Sequence, residues 1–460
     1  MKRFLSLLLS ALMILVALAS CGGQTPAGPA SSENSESRSE EPGTGTEPES
    51  ETEQASAEEP VTSKYETEYV APADGSFTIC GIPLSEYSLV MYFPGSDDFR
   101  RMDRKKIVES LTAPFNAATG TDTPVRLVKN ERFDDTPSAE HEILFGSNFR
   151  REGMPEYRQD NYYGVTADGT VYFCAITPVL FGYLWEQFLE EFFGVAPGSG
   201  DPSKGCAIGE CYRELPRLTY ETLEARGYSI VLDETFDGDT LDTDIWRFRG
   251  NGARRNGFVT PSQISLSDGI LSLTGEYLTD GEYGEGWYGA MIGLKQWYCR
   301  GYFEASIKCS ETLHRGKGDF WSAFWIQGPH PYEPELSLGG SGEGGAEIDI
   351  LEYWDPNSAT CNVWVSGYNG NEDLDSDHCE VNHLYTDYTE AFHTYSLLWD
   401  ENFYEFFIDG ILVFHTNFGT GTSPAEEEVI LSLELPDTID LDPAVKRVME
   451  VDFLRVWQKQ

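Results

Sequence analysis

Three carboxylic acids share a short run whose other side chains are mostly apolar. Glu347, Asp349 and Glu352 lie in the segment AEIDILEYW, between isoleucine, leucine and aromatic residues. Acidic side chains are rarely buried unless they are paired or useful, and burying three of them for packing alone would cost stability. The run therefore predicts a chemical site in which one carboxylate acts as a nucleophile and another donates and accepts a proton.

The spacing of the three acids is irregular for a β-strand. Side chains alternate between the two faces of a strand, so Glu347 and Asp349 share a face and Glu352 would point to the other one. One extra residue, a β-bulge at Ile350-Leu351, would return Glu352 to the face of the first two acids. We therefore expect a bulged strand with all three carboxylates lining one concave groove.

Two glutamates that face each other across a groove could carry out retaining glycoside hydrolysis, which needs carboxyl groups about 5–5.5 Å apart. One glutamate attacks the anomeric carbon and forms a covalent glycosyl-enzyme, while the other protonates the leaving oxygen and then activates water. Asp349 between them could hydrogen-bond the nucleophile. Crowding of like charges would also favour a protonated acid/base.

Short apolar runs separated by turns surround this segment. From about 226 to the end they recur about every ten residues, as in ISLSDGILSLTG, GYFEASIKCS, FWSAFWIQG, HTYSLLWD and YEFFIDGILVF. Many short strands at this spacing predict an all-β sandwich or barrel. The acidic run would be one of its strands.

The acidic run resembles the signature of glycoside hydrolase family 16 in its bulged form, E-x-D-x-x-E, which is typical of laminarinases, agarases and carrageenases. Further segments match the family in order over about 228–459, including LDETFDGDTLDTDIW, CRGYFEASIK, DFWSAFWIQG, FHTYSLLWDENFYEFFIDG and VDFLRVWQ. The resemblance implies a concanavalin A-like jelly-roll sandwich over 226–460. It also implies Glu347 as nucleophile, Asp349 as assisting acid and Glu352 as general acid/base.

The resemblance also implies side chains that contact a sugar. Trp321 and Trp325 match a W-x-x-x-W pair on the preceding strand, and positions four apart share a strand face, so both would reach the cleft or both the core. His393 would bond the sugar or Glu352, with a structural histidine as the alternative. Two further aromatic residues, Trp399 and Tyr353, complete the predicted sugar contacts. For Trp399, packing in the core is the alternative.

Two features beside the cleft follow from the same resemblance. Glu234 and Asp452 match positions that ligate a structural calcium ion in many family members, and oxygen ligands suit calcium. No cofactor is expected for catalysis itself. The segment HPYEPELSLGGSGEGG, at 330–345, is longer than usual, and we expect it to lie beside the cleft like a lid.

An α/β accessory domain is predicted at 65–215, so the chain is multidomain. Strands are expected at 86–93, 124–130 and 142–147, helices at 104–120 and in VLFGYLWEQFLEEFFG, and a hairpin turning at Asp168-Gly169. This order resembles the accessory domain that precedes the catalytic barrel in β-hexosaminidases, which implies a structural or sugar-associated role. Residues 196–225, rich in proline, glycine, lysine and cysteine, predict a linker.

The N-terminus has the features of a bacterial lipoprotein signal peptide, assigned to 1–20. Lys2 and Arg3 precede an apolar run, and LASC at 18–21 resembles a lipobox, which implies a lipid on Cys21. The run is short for a transmembrane helix. Residues 21–64 lack large apolar side chains and, from 22 on, hold ten glutamates against Arg38 and Lys64, which predicts a disordered acidic tether. We expect a lipid anchor in the cell membrane, with the protein on its extracellular face.

The charge balance restricts the partners. The 460 residues include 77 acidic and 32 basic side chains, a formal net charge of −45. This opposes nucleic acid as a partner and disfavours sulfated or uronic polysaccharides through repulsion. A neutral β-linked polysaccharide fits better, and we expect the protein to act as a monomer.

The nine cysteines leave an even number after the lipid site is removed. Proximity permits disulfides 206–211, 299–309 and 361–379, although connectivity is not determined and thiols remain the alternative. The spacings do not match a zinc site.

These features predict a retaining endo-glycoside hydrolase of β-1,3- or β-1,3-1,4-glucan on the cell surface. One alternative is a family 16 hydrolase of another β-glycan, such as a galactan, an agar- or porphyran-type chain or xyloglucan. Another is a surface glycan-binding lipoprotein without activity. Retention of both Glu347 and Glu352 favours hydrolysis over binding alone.

Overall fold

Strands dominate the described part of the chain. The computed structural model describes residues 78–83, 86–92, 126–127, 139–146, 154–155, 158–193, 207–313, 317–338, 340–366, 374–382, 384–417, 421–437 and 440–460. The predicted signal peptide, the tether, the lipid site Cys21 and the helix at 104–120 lie outside these residues.

The described residues before 227 form two sheets and two helices. Their strands are β1 Thr78–Ile79, β2 Ile82–Pro83, β3 Ser88–Tyr92, β4 Arg126–Leu127, β5 Glu142–Gly146, β6 Tyr162–Val165, β7 Val171–Cys174, β8 Ala207–Ile208 and β9 Cys211–Glu214, and the helices are α1 Leu180–Phe193 and α2 Tyr220–Ala225. The larger sheet has the order β4–β3–β5–β7–β6–β9, and a small sheet has the order β2–β1–β8. Strands β3, β4, β5 and β7 run parallel, while β6 and β9 are antiparallel to their neighbours.

Local sequence signals predict most of these elements. Strands β6 and β7 form the expected hairpin, and Gly169 in its turn has a φ of 83°, which glycine adopts without strain. Helix α1 packs its aromatic face on the sheet, where Trp185 lies 5.9 Å from Phe145 and 5.5 Å from Phe173 between ring centroids. The interpretation of 196–225 as a linker is wrong in part, because β9 is an edge strand paired with β6. The four residues of β9 are rich in polar side chains and show too little apolar periodicity to predict a strand.

The residues after 227 form an all-β unit, as predicted. Its strands are β10 Tyr228–Glu234, β11 Trp246–Phe248, β12 Gly252–Arg254, β13 Gly257–Val259, β14 Ile264–Ser267, β15 Ile270–Gly281, β16 Gly284–Leu294, β17 Gly301–Lys308, β18 Trp321–Gln327, β19 Glu347–Asp355, β20 Ser358–Ser366, β21 Leu374–Asn382, β22 His393–Trp399, β23 Tyr404–Ile408, β24 Ile411–Thr416, β25 Glu428–Glu434 and β26 Lys446–Lys459. The helical element in the described part of this unit is a single 3-10 turn at Pro261–Gln263.

Two sheets that share β16 make up the sandwich. One has the order β11–β16–β25–β18–β19–β20–β21. The other runs from β24 through β23, β22, β17, β26 and β15 to β16. The side chains between the sheets form one buried apolar cluster, with Phe303 of β17 and Phe324 of β18 both fully buried. The strand of the three acids, β19, packs its apolar side chains into this core.

The α/β residues pack on β24, which among the described strands pairs with β23 alone. Asn161 donates from Nδ2 to the backbone oxygen of Leu412 at 2.7 Å, and Thr177 donates from Oγ1 to that of Val413 at 2.6 Å. Side chains from α1 and β24 also share a buried apolar cluster that includes Leu180. Contacts of this kind satisfy the carbonyl groups of an edge strand and protect it from pairing with another chain.

The structure contradicts two of the three disulfides that proximity permits. Cys299 and Cys309 are thiols, and the sulfur of Cys309 lies 3.6 Å from the hydroxyl of Tyr395, so the 299–309 pairing is wrong. Cys361 and Cys379 are register partners on β20 and β21, but Cys361 is a thiol that donates to the backbone oxygen of Ile350 at 3.3 Å, so the 361–379 pairing is wrong as well. Cys206 lies outside the described residues.

Within the ranges described above, we find no helix of the length and apolar character needed to cross a membrane.

Candidate active site

Strand β19 is irregular at the position that the acid spacing predicts. On its pairing with β18, Phe324 lies opposite Leu351 and the next residue, Trp325, lies opposite Asp349. Ile350 therefore has no register partner on β18, which is the definition of a β-bulge. The predicted bulge is confirmed.

The second neighbour of β19 shows the same extra residue. Asp349 lies opposite Asn362 and Glu352 lies opposite Thr360, so two residues of β19 oppose a single residue of β20. The side chains of the two intervening residues are buried in the core. Glu352 consequently returns to the face that carries Glu347 and Asp349, which an unbroken strand would not allow.

The three carboxylates line one cavity of about 280 Å³. The remaining side chains of this cavity come from β18, β25, the β12 region and the segment after β18: Arg249, Arg254, Arg255, Trp321, Ala323, Trp325, Gln327, Tyr332 and Glu434. Trp321 and Trp325 thus reach the same cavity, as their spacing predicts.

Glu347 is held by two donors. Oε2 of Glu347 accepts a hydrogen bond from Nε2 of Gln327 at 2.6 Å and another from the hydroxyl of Tyr332. Tyr332 belongs to the long segment 330–345, so that segment lies beside the cavity as expected. Two donors on one oxygen fix the direction of the carboxylate.

Glu352 lies between a cation and an amide. Nζ of Lys317 is 3.4 Å from Oε1 of Glu352, and Nδ2 of Asn362 donates to Oε2 at 2.9 Å. Burial raises the pKa of Glu352, with Glu347 and Glu434 adding to the rise and Lys317 opposing it. A carboxyl group whose pKa is raised holds its proton more strongly than an ordinary glutamate, which suits the acid of an acid/base pair.

Asp349 is buried between the two glutamates. Burial, followed by the charges of Glu352 and Glu347, holds the pKa of Asp349 well above its usual value. Nε1 of Trp364 donates to Oδ2 of Asp349 at 3.2 Å. A protonated Asp349 keeps a proton available for a hydrogen bond to a neighbouring carboxylate.

Paired arginines, which the sequence analysis missed, form one wall of the cavity. Arg254 binds Glu434 with Nε at 2.9 Å and Nη2 at 2.8 Å, and Arg255 contacts the same carboxylate at 3.3 Å. Burial acts against ionisation of Glu434, but the guanidinium groups hold its pKa below the usual value. Arg249 binds Glu428 at 3.1 Å. The adjacent arginines in NGARRNG, within an acid-rich chain, are the signal that could have identified this wall.

Cations cover the two cavity tryptophans. The Arg255 guanidinium lies 4.8 Å from the centroid of Trp321, and Nζ of Lys317 lies 5.1 Å from the same centroid. The Arg249 guanidinium lies 4.9 Å from Trp325, whose Nε1 donates to Oγ of Ser432 at 3.1 Å. These cation–π contacts hold the rings at the cavity wall.

Three predicted sugar contacts are wrong, because the structure uses the side chains elsewhere. The Nδ1 atom of His393 lies 2.8 Å from Oδ2 of Asp409, and its ring stacks on Tyr385, so this histidine is structural and contacts neither Glu352 nor the cavity. Trp399 is fully buried in the core. Tyr353 follows Glu352 directly on the strand, so alternation turns its ring to the core face, where it is also buried.

The two predicted calcium ligands do not by themselves form a metal site. Oε1 of Glu234 accepts the backbone N–H of Phe236 at 2.9 Å, and Oε2 accepts Nε1–H of Trp246 at 3.0 Å. Within the described residues, no group of three or more histidine, cysteine, aspartate or glutamate side chains could hold a metal ion. Because calcium also accepts backbone oxygens, this finding does not decide the matter, and calcium binding by Glu234 and Asp452 stays a prediction.

Comparison with known proteins identifies similar chains. A Beta-glucanase of Acetivibrio thermocellus is 27% identical over 199 residues, which is 43% of this chain and 52% of that protein. The chain thus spans about half the length of the curated relatives that it matches.

Two solved structures are similar to part of the chain. The laminarinase catalytic domain from Thermotoga maritima MSB8 is 22% identical, covering 51% of this chain and 99% of its own, with a TM-score of 0.42. LamA from Z. galactanivorans, in complex with laminaritriose and laminaritetraose, is 21% identical, covering 50% of this chain and 99% of its own, with a TM-score of 0.41.

A protein-family comparison covers the strand that carries the three acids. Residues 255–424, which include β18, β19 and β20, match the model of glycosyl hydrolases family 16. This part of the chain, with the strand of the three acids at its centre, is therefore similar to glycosyl hydrolases family 16.

Proposed function

We propose that the protein is a retaining endo-glycoside hydrolase that cleaves β-1,3- or β-1,3-1,4-linked glucan by double displacement. The observation that carries this proposal is the bulge of β19, which brings Glu347, Asp349 and Glu352 to one cavity. The similarity of residues 255–424 to the family 16 model and the Beta-glucanase relative support a β-glucan as the substrate.

In the first displacement, Glu347 is the nucleophile and Glu352 is the acid. The carboxylate of Glu347, directed by Gln327 and Tyr332, forms a bond to the anomeric carbon as the glycosidic bond breaks. Glu352 gives its proton to the departing oxygen, so the leaving sugar departs as a neutral alcohol and Glu352 becomes ionised. Asp349 donates a hydrogen bond toward the carboxylate of Glu347 and limits repulsion in the crowded site.

In the second displacement, Glu352 acts as the base. It takes a proton from a water molecule, whose oxygen attacks the anomeric carbon and releases Glu347 as a carboxylate. Two inversions at one carbon give retention of configuration. Lys317 and Asn362 contact Glu352 and support its ionised state in this step.

The charges within the cavity favour a neutral chain. Each of the three cavity arginines is paired with a carboxylate: Arg249 with Glu428, Arg254 with Glu434, and Arg255 with Glu434 and Asp437. Paired guanidinium groups have few donors left for a sulfate or uronate. Galactan, agar- or porphyran-type chains and xyloglucan remain alternatives to test.

The location of the protein is part of the proposal. The basic start, the apolar run and the LASC sequence support lipidation of Cys21, with the acidic tether carrying a monomeric enzyme on the extracellular face of the membrane. Labelling with a radioactive fatty acid should mark the protein and not its Cys21→Ala variant. Equal labelling of both would contradict the anchor.

Release of reducing ends from laminarin and lichenan tests the activity. The wild type should hydrolyse at least one of the two, and Glu347→Gln should lose at least about 10³-fold because it removes the nucleophile with little change in volume. Proton NMR early in the reaction should show the β-anomer. Binding of glucan without hydrolysis of any tested β-glycan would favour a surface glycan-binding lipoprotein.

A further inference from the structure

We propose that Lys317 is a positioning residue for Glu352. Its ammonium group holds the Glu352 carboxylate in place and stabilises the ionised form that the second displacement requires. The catalytic part of this inference rests on the proposed function. The proton affinity of Glu352 would thus be adjusted by a residue in the loop before β18 and not by a residue of β19, the strand that carries Glu352.

Lys317 lies against two side chains that line the cavity, Glu352 and Trp321. Its Nζ is 3.4 Å from Oε1 of Glu352 and 5.1 Å from the ring centroid of Trp321. Glu352 is mostly buried, whereas a third of the lysine side chain is exposed. The ammonium group therefore reaches the acid from the solvent side and keeps part of its own hydration.

Hydrogen bonds hold Lys317 and the described residues near it in the sequence. The backbone N–H of Asp437 donates to the oxygen of Lys317 at 2.8 Å. Two residues on, Asp319 is buried and accepts a hydrogen bond from the Nη2 atom of Arg447 at 2.9 Å. Oδ2 of Asp319 also accepts the N–H of Leu313 at 3.2 Å. A fixed backbone lowers the entropy cost of holding a long side chain against one carboxylate.

The other charges around Glu352 make this cation important. The groups that face the acid are Glu347 and Asp349 on β19, Glu434 on β25, Asn362 on β20 and Lys317 on its loop. The charges of Glu347 and Glu434 favour the protonated form of Glu352. Arg254 and Arg255 engage Glu434 instead. Lys317 is therefore the cation that contacts Glu352 within the described residues. Without it, the repulsion between Glu352 and the neighbouring carboxylates would not be offset.

Both halves of the reaction depend on this balance. A Glu352 that held its proton too strongly would serve the first displacement and fail as a base in the second. A neighbouring opposite charge favours ionisation, so replacing Lys317 by methionine should raise the pKa of Glu352 by about 1 unit, a value reduced for partial exposure. Lys317→Arg keeps the charge and should stay near the wild type.

The direct test is the titration of the Glu352 carboxyl group. Carbon-13 NMR of protein labelled at glutamate Cδ would follow the resonance, identified by its disappearance in Glu352→Gln. The matched control is Lys308→Met, which removes another lysine paired with a carboxylate, Glu450, on β17 and β26. We expect an upward shift of about 1 pH unit in Lys317→Met and none in Lys317→Arg or Lys308→Met.

Activity provides a second, separable measurement. The alkaline limb of kcat/KM for laminarin should move upward in Lys317→Met by the same amount as the titration. If the wild type hydrolyses glucan but the titration and the limb stay unchanged, the inference is overturned and the proposed function stands. If the titration shifts but the wild type hydrolyses no β-glycan, the proposed function is wrong and the catalytic role of Lys317 falls with it.

Discussion

The side-chain amide of Asn362 donates a hydrogen bond of 2.9 Å to Oε2 of Glu352. The two residues lie on adjacent strands, one on each side of the bulge, so the irregular register that re-aims Glu352 also brings it to its donor. An amide directed at one oxygen leaves the other oxygen of the carboxyl group to face Lys317.

We expect Asn362→Ala to reduce kcat/KM roughly tenfold to a hundredfold, because Glu352 loses an orienting contact. Asn362→Asp should in addition move the alkaline limb of the pH profile upward, since a second anion disfavours ionisation of Glu352. Steady-state kinetics on laminarin across pH would measure both effects. An unchanged kcat/KM in Asn362→Ala would contradict an orienting role.

Deletion of Ile350 should keep the acids together. Removing one residue from the bulge leaves Leu351 alone between Asp349 and Glu352, and regular alternation then puts both acids on the same face. Because Ile350 is buried, we expect a loss of about 2–4 kcal/mol in the free energy of unfolding, with activity reduced but above that of Glu347→Gln.

Deletion of both Ile350 and Leu351 is the matched comparison for this prediction. It makes the acids adjacent and turns Glu352 to the core, so hydrolysis should disappear. Urea unfolding and laminarin assays on the two variants would measure the contrast. If the single deletion is as inactive as the double deletion, the strand face to which Glu352 points is not the deciding factor.

Glu427 should make the protein less stable as pH rises. It is fully buried; Oε1 accepts hydrogen bonds from Ser423 at 2.6 Å and from the N–H of Ala346 at 2.9 Å, while Oε2 has no hydrogen-bond partner among the described residues. Burial raises the pKa of Glu427 to about 8. The folded state therefore keeps a proton that the unfolded state, with an ordinary glutamate pKa, releases between about pH 4.5 and pH 8.

Stability should accordingly fall across that interval by on the order of 3 kcal/mol in the wild type, through this one group. Glu427→Gln cannot ionise and should remove this part of the pH dependence. Glu426→Gln, at the exposed neighbouring position, should keep it. Chemical denaturation at pH 5 and pH 8 gives the comparison, and parallel slopes for Glu427→Gln and the wild type would contradict the assignment.

Asn161 should stabilise the contact between the α/β residues and the sandwich. Its side chain is 1% exposed, donates to the oxygen of Leu412 and accepts the N–H of Ile176 at 3.0 Å. Asn161→Ala leaves two buried backbone groups without these partners, which should cost about 2–3 kcal/mol. Asn402→Ala, the same change at an exposed position, should cost little. Thermal unfolding followed by tryptophan fluorescence would compare them, and equal midpoints would count against the contact.

For most of the aromatic residues near the site, the sequence did not determine whether the ring faces the cavity or the core. The W-x-x-x-W spacing predicts that Trp321 and Trp325 share a side, but not which side faces the cavity. His393 and Trp399 match family positions, yet pairing of their strand with β17 and β23 directs them to Asp409 and to the core. The burial of Tyr353 could have been predicted from the sequence, because Tyr353 directly follows Glu352 on a strand and so points to the opposite face.

The identity and spacing of the three acids, together with the alternation of side chains along a strand, were enough to predict the bulge, because these are properties of one short segment. The cations around the acids depended on the tertiary structure. Arg254 reaches Glu434 across 180 residues, and Lys317 reaches Glu352 across 35, through strand pairings that no local pattern encodes. The protonation of Glu352 depends on charges that only folding brings within a few ångströms, so the sequence determined which group can carry out the chemistry and the fold determined its proton affinity.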